Sequence, residues 1–180
     1  MKLRKGSQDA TGLTFGIVAS KFNKFVTSRL LTECVKAVTK AGVADEAIEV
    51  VRVPGAFEIP LVARQLARSG RFDAVICLGA VIRGDTPHFE YISTEVSRGI
   101  LQASMDSNIP VIFGVLTTDT VAQAIERADP EKLNRGADVA KTAIEMVNVM
   151  RLLKKEGSGE APQPATPSRR AGRSAARPKR

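Results

Sequence analysis

The sequence predicts an α/β fold in which four parallel strands form a sheet covered on both faces by helices. Two observations predict it. Short apolar runs rich in β-branched residues alternate along the chain with longer stretches of helical spacing. Each run is also nearly continuous in apolar residues, the mark of a strand buried on both faces, as in parallel sheets. Crossovers between such strands are right-handed, and ligands bind beyond the strands' carboxyl ends.

The elements follow in order. "LTFGIVAS" (Leu13 to Ser20) reads as the first strand. "TSRLLTECVKAVTKAG" follows as a helix, with Leu30, Leu31, Cys34, Val35 and Val38 on one stripe and Gly42 as its stop. "IEVVRV" (Ile48 to Val53) is the second strand, and "IPLVARQLARSG" the second helix, with Pro60 in its first turn where the missing N–H costs nothing. "DAVICLG" is the third strand, and a helix is predicted from about His88 to Ser107. "VIFGVL" (Val111 to Leu116) is the fourth strand, followed by a short helix, "DTVAQAIERA", and a longer one, "GADVAKTAIEMVNVMRLLKK".

Composition bounds the class of protein. The 180 residues, 43% of them hydrophobic, suffice for one domain with a substantial core. The formal net charge is +8, but it is unevenly spread. Eight of the 27 basic residues and two of the 19 acidic ones lie between Lys154 and Arg180, so that stretch carries +6 and the body only +2. From Gly157 onward the chain is Pro, Ala, Ser and Arg without a bulky apolar residue, and it is expected to be disordered. The reading is therefore an N-terminal arm over residues 1–12, a folded domain over 13–156 and a basic tail over 157–180, the arm being a candidate for pairing with another subunit.

The two cysteines, Cys34 and Cys77, fall in apolar patterns and read as small buried residues rather than a disulfide. One histidine and two scattered cysteines offer no zinc spacing. No P-loop and no Gly-rich dinucleotide fingerprint is present, so a nucleotide cofactor is not expected. The N-terminus has no apolar signal stretch, and no run approaches the roughly 18 apolar residues of a membrane span, which makes the cytoplasm the expected compartment.

The residues that could carry chemistry stand just after the strands. Phe22 and Asn23 follow the first. "VPGAFEIP" follows the second, where Pro54 and Gly55 shape a turn before Phe57 and Glu58. Glu58 suits either the positive end of the next helix or a ligand contact, and Phe57 either a hydrophobic staple or a site wall. "GAVIRGDTPHFEYIS" follows the third strand. Its Gly84, Asp85 and Thr86 precede a helix start, where free N–H groups and a hydroxyl hold anions; the Asp85 side chain would repel a phosphate, leaving its backbone N–H as the contact. His88, the only histidine, is either structural or a proton-transfer group. Phe113 interrupts an aliphatic strand and reads as core or as a site aromatic, and Arg127 as a surface charge or a bidentate phosphate partner.

Taken together, "GIVASKFN", "VPGAFEIP", "LGAVIRGDTPHFEYIS", "VIFGVLTTDT" and "QAIERA" closely resemble the lumazine synthase family, in order from about Leu13 to Arg151. The resemblance implies a flavodoxin-like, three-layer α/β/α sandwich with a four-stranded parallel sheet. It implies the penultimate step of riboflavin biosynthesis: condensation of 5-amino-6-(D-ribitylamino)uracil with 3,4-dihydroxy-2-butanone 4-phosphate, giving 6,7-dimethyl-8-ribityllumazine, phosphate and water, with no metal and no redox cofactor. It also implies homopentamers, twelve of which close into a 60-subunit shell in some members.

By the same resemblance, Phe22 stacks on the pyrimidine with Asn23 nearby, and Ala56, Phe57 and Glu58 hold the ribityl chain. Ala80, Val81 and Ile82 meet the pyrimidine through main-chain groups, and Asp85, Thr86 and Arg127 hold the phosphate. His88 transfers protons, and Phe113 reaches the pyrimidine of the neighbouring subunit. Arg135 stands where many members carry lysine, which keeps the charge but loses an amine able to relay protons. The "DPEK" turn lacks the small, glycine-containing form common in shell-forming members, which leaves both the expected pentamer and a 60-subunit shell open.

Rival readings are a flavodoxin-like module that holds a flavin without turnover, an archaeal-type riboflavin synthase, and nucleic-acid binding through the tail. Clustered Arg without interleaved aromatics supports nonspecific electrostatic contact with nucleic acid at most.

Overall fold

In the computed structural model, which describes residues 1–157, four parallel strands are ordered β2-β1-β3-β4. They are β1 (Phe15–Ser20), β2 (Ile48–Val53), β3 (Ala74–Ile82) and β4 (Val111–Thr118). The helices are α1 (Lys24–Lys40), α2 (Ile59–Arg68), α3 (His88–Ser107), α4 (Val121–Ala128) and α5 (Arg135–Gly157), and one 3₁₀ turn, Asp45–Ala47, leads into β2. This is the three-layer α/β/α arrangement of flavodoxin-like folds. No helix among the described residues is long and apolar enough to cross a membrane.

Strand alternation divides the core in two. Phe15, Ile17 and Ala19 of β1 and Ile76, Leu78 and Ala80 of β3 pack against buried residues of α1, α4 and α5. Val18, Val75, Cys77, Val111 and Val115 pack on the other face against Ile59, Ala63 and Leu66 of α2 and Val96, Ile100 and Ala103 of α3. Because both faces are covered, the inner strands need apolar side chains at every position, which is why their sequences do not alternate. Cys34 and Cys77 belong one to each layer, and burial pushes the Cys34 thiol up to about 12 and the Cys77 thiol higher still. The α1–α5 contact is tight: a Cβ at Gly136 would lie 2.5 Å from the Leu30 carbonyl oxygen.

Element bounds differ from the sequence expectation at three informative places. Helix α1 starts at Lys24 rather than near Thr27, because Asn23 takes a left-handed backbone (φ 53°) and turns the chain directly from β1 into the helix. Strand β4 runs two residues further, to Thr118, and β3 three residues further, to Ile82, because those extensions pair with each other. β3 pairs with β1 only as far as Leu78 opposite Ala19, so Ala80–Ile82 have a strand neighbour on the β4 side alone.

At the N-terminus, the arm runs along α5 of its own chain. Asn148 Nδ2 donates to Ser7 O at 3.1 Å and to Asp9 O at 3.0 Å, and Ala10 is fully buried. The basic tail lies outside the described residues beyond Gly157, the last residue of α5.

Candidate active site

Strand order decides where the site forms. The connection that leaves β1 runs outward to β2 on one side and the connection that leaves β3 runs outward to β4 on the other, so the ends of β1 and β3 open a crevice between diverging connections. A cleft of about 800 Å³ occupies that place.

Its floor is the overhanging end of β3, with Ala80, Val81 and Ile82 in the lining. Lacking a β1 partner there, the backbone offers polar groups to whatever fills the cleft. Asn23 takes one of them, its Nδ2 donating to Ala80 O at 2.9 Å. Asn23 is thus a brace under the floor rather than part of the lining, and its side chain makes no capping bond to α1.

The turns after β1 and β2 build the first wall together. Lys21 N–H donates to Val53 O at 2.7 Å and Phe22 N–H to Pro54 O at 3.0 Å, coupling the two loops. Phe22 and Phe57 both line the cleft while remaining 69% and 57% exposed, an arrangement that leaves two aromatic faces for a planar ligand. Glu58 stands at the N-terminus of α2, as its helix-end reading required, and it lines the cleft as well. Its Oε2 accepts from Gly55 N–H at 2.8 Å, which holds the Pro54–Glu58 turn closed. A Cβ at Gly55 would approach that oxygen to 3.1 Å.

The start of α3 makes the opposite wall. Gly84, Thr86 and His88 line the cleft, whereas Asp85 is exposed beside them and outside the lining. His88 is the first residue of α3, and its imidazole makes no hydrogen bond to another described residue. No carboxylate therefore orients it as in a catalytic triad. The helix N-terminus beside it favours anions.

Nine of the predicted site residues meet in this one cleft: Phe22, Ala56, Phe57, Glu58, Ala80, Val81, Ile82, Thr86 and His88. Phe113, Arg127 and Arg135 do not line it. Phe113 is 42% exposed, although Val111 and Val115 on the same face of β4 are 7% and 4% exposed, so its core reading fails. Arg127 donates to Gln123 O at 3.1 Å in the last turn of α4, and Arg135 pairs with Asp138 at 3.2 Å at the start of α5. Sequence reasoning missed Phe89, Tyr91 and Ile92 as lining residues. For two of them the signal was present, since Tyr91 and Ile92 stand three and four places after His88, on the same helix face.

The lining contains one carboxylate and one imidazole but no Lys or Arg. A family model described as 6,7-dimethyl-8-ribityllumazine synthase matches residues 12–151 of this sequence. The chain belongs to that family. A protein of Syntrophus aciditrophicus (strain SB), named 6,7-dimethyl-8-ribityllumazine synthase, is 59% identical over 147 residues, which are 82% of this chain and 96% of the relative. The family match spans every strand and every element that lines the cleft.

Proposed function

We propose that this chain is a transferase of riboflavin biosynthesis that condenses 5-amino-6-(D-ribitylamino)uracil with 3,4-dihydroxy-2-butanone 4-phosphate, releasing phosphate and water. Family membership across the whole cleft carries the reading. The chemistry agrees with a lining so poor in reactive groups. The substrate's own amine is the nucleophile, so no activated Ser or Cys is required. Schiff-base formation, phosphate elimination, ring closure and dehydration need positioned reactants and a group that moves protons. Positioning alone can lower such a barrier by about 7–11 kcal/mol in the best cases. His88 is the proton-transfer residue in this reading.

Phe22 stacks on the pyrimidine, and the main chain of Ala80, Val81 and Ile82 reads its polar edge. Ala56, Phe57 and Glu58 receive the ribityl chain. The phosphate lies at the start of α3, on Thr86 and the N–H of Asp85. Its counter-charge is absent from the lining, so we assign it to Arg127, with Arg135 as a second cation, reaching in from a neighbouring subunit together with Phe113.

A split site requires an oligomer. Leu61 of α2 and Leu101 and Met105 of α3 are 67%, 64% and 73% exposed, apolar side chains that a neighbouring subunit would cover. The contact is heterologous and must close, and a homopentamer is our reading of the ring. A reducing cytoplasm suits a chain whose two cysteines are both unpaired and buried.

The direct test is absorbance-monitored formation of the lumazine from both substrates by purified protein, with inorganic phosphate measured in parallel. Flavin binding without phosphate release would refute the reading.

A further inference from the structure

Arg83 stands outside every role assigned above. It follows β3 directly, and its backbone N–H donates to Thr118 O at 2.9 Å, extending the β3–β4 pairing by one residue. Its side chain then joins two further places. Nε donates to Asp119 Oδ1 at 2.7 Å, in the turn between β4 and α4. Nη1 donates to Glu90 Oε1 at 2.5 Å, in the first turn of α3. The guanidinium carbon lies 4.3 Å from the centre of the Phe89 ring, which itself lines the cleft.

One side chain thus ties the sheet end, the β4–α4 turn and the start of α3 together. The loop it spans, Gly84 to Pro87, is exposed and makes no hydrogen bond outside α3 among the described residues. A Cβ at Gly84 would meet nothing within 4 Å, so the chain is not closely packed at that point. His88 lies between this loop and the two residues that Arg83 contacts, Phe89 and Glu90. The Arg83 bridge therefore fixes the helix turn to which His88 belongs, alongside the packing of Ile92 against the core.

We propose that Arg83 is a positioning residue for the condensation, its forked guanidinium setting the position of the His88 imidazole at the cleft. The proposal rests on His88 being the proton-transfer group. A planar fork can satisfy two carboxylates while lying flat on a ring, a geometry that a compact ammonium does not reproduce. Donating hydrogen bonds to Asp119 first and Glu90 second holds the guanidinium's pKa above its ordinary value, so it stays cationic wherever the enzyme works. Two carboxylates around one guanidinium also leave the cluster net negative, which argues against Arg83 itself as the phosphate ligand. Pairs whose side chains are 43–66% exposed contribute little to global stability, so the consequence of breaking them is local.

The experiment is steady-state kinetics of Arg83→Gln in the wild-type and His88→Ala backgrounds, with Arg83→Lys and Asp119→Asn as companions. Turnover should fall about 10- to 100-fold in the wild-type background, as misplaced catalytic groups do, with both KM values within about threefold. On the His88→Ala background the same change should cost less than about twofold, because the group it positions is gone. Arg83→Lys should recover only part of the loss. Asp119→Asn, which keeps the arginine, should show the same pattern more weakly, and it carries the test if Arg83→Gln does not fold. Equal fractional losses in both backgrounds would overturn the proposal. So would a raised KM for the butanone phosphate at unchanged turnover, which would make Arg83 a phosphate ligand. Full turnover in His88→Ala alone would instead remove the underlying role of His88.

Discussion

The Asn23 amide donates to the Ala80 carbonyl at 2.9 Å, bridging the turn after β1 and the part of β3 that extends past β1. It does for one rung what a longer β1 would do, while leaving the rest of the overhang open as the floor of the cleft. The left-handed backbone of Asn23 is what brings its side chain back over the sheet, and asparagine tolerates that conformation better than most residues.

Replacing Asn23 separates these two contributions. Asn23→Gly keeps the backbone conformation and removes the amide, so it should cost about 0.5–1.5 kcal/mol, the usual net worth of a hydrogen bond. Asn23→Ala removes the amide and also replaces a residue that tolerates the left-handed region by one that tolerates it less well, so it should cost more than the glycine variant. Urea unfolding measures both, and KM for the pyrimidine should rise in each as the floor loosens. A glycine variant with wild-type stability and wild-type KM would show that the bridge is idle.

Substituting His88 by alanine should lower turnover by about 10²–10⁴-fold, the range for a positioned acid–base group. Residual activity should remain, since the reactants are still held together. The variant should unfold with the wild type, because the imidazole makes no hydrogen bond to another described residue. Unchanged turnover at saturating substrates would take His88 out of the mechanism.

Arg127→Ala should raise KM for the butanone phosphate far more than KM for the pyrimidine. A charge-assisted hydrogen bond of this kind is worth roughly 1.5–3 kcal/mol, equivalent to about 10- to 150-fold. Separate saturation curves for the two substrates give the answer. Equal weakening of both would mean that α4 has shifted as a whole, and the phosphate assignment would fall.

Mass by sedimentation or light scattering, measured alongside activity, tests the split site. Catalysis should require a ring of at least five chains, and a Phe113→Ser protein should lose affinity for the pyrimidine while keeping its ring. Cutting the chain at Gly157 should preserve both ring and activity, because the tail has no bulky apolar residue to bury. A fully active monomer would refute the shared site, and loss of the ring on truncation would make the tail structural. A mass near sixty chains would replace the pentamer by a shell.

Much of the site was legible because its residues are local to strand ends. Phe22, "PGAFE" and "GDTPH" each stand within a few residues of a strand that apolar continuity marks clearly. The helix from His88 to Ser107 could be read with both ends correct: Pro87 and Glu90 mark its start, and it stops where Asn108 takes a left-handed turn before Pro110. Tyr91 and Ile92 carry no polar signature of a site, yet their spacing of three and four from His88 places them on its face of the helix.

By itself the sequence determined which segments are strands or helices and that both sheet faces are covered, because burial leaves its period in each element separately. Its family motifs also pointed to the chemistry. Only the tertiary structure decided that β1 and β3 lie side by side, that β3 overhangs β1 by Ala80–Ile82, that Asn23 closes that gap, and that Arg83 joins three elements around His88. Only there, too, do Phe113, Arg127 and Arg135 fall outside the cleft of their own chain. Those relationships depend on partners distant in sequence. Strand order, register and the reach of a side chain across a loop come from the joint packing of all elements, and no local periodicity encodes them.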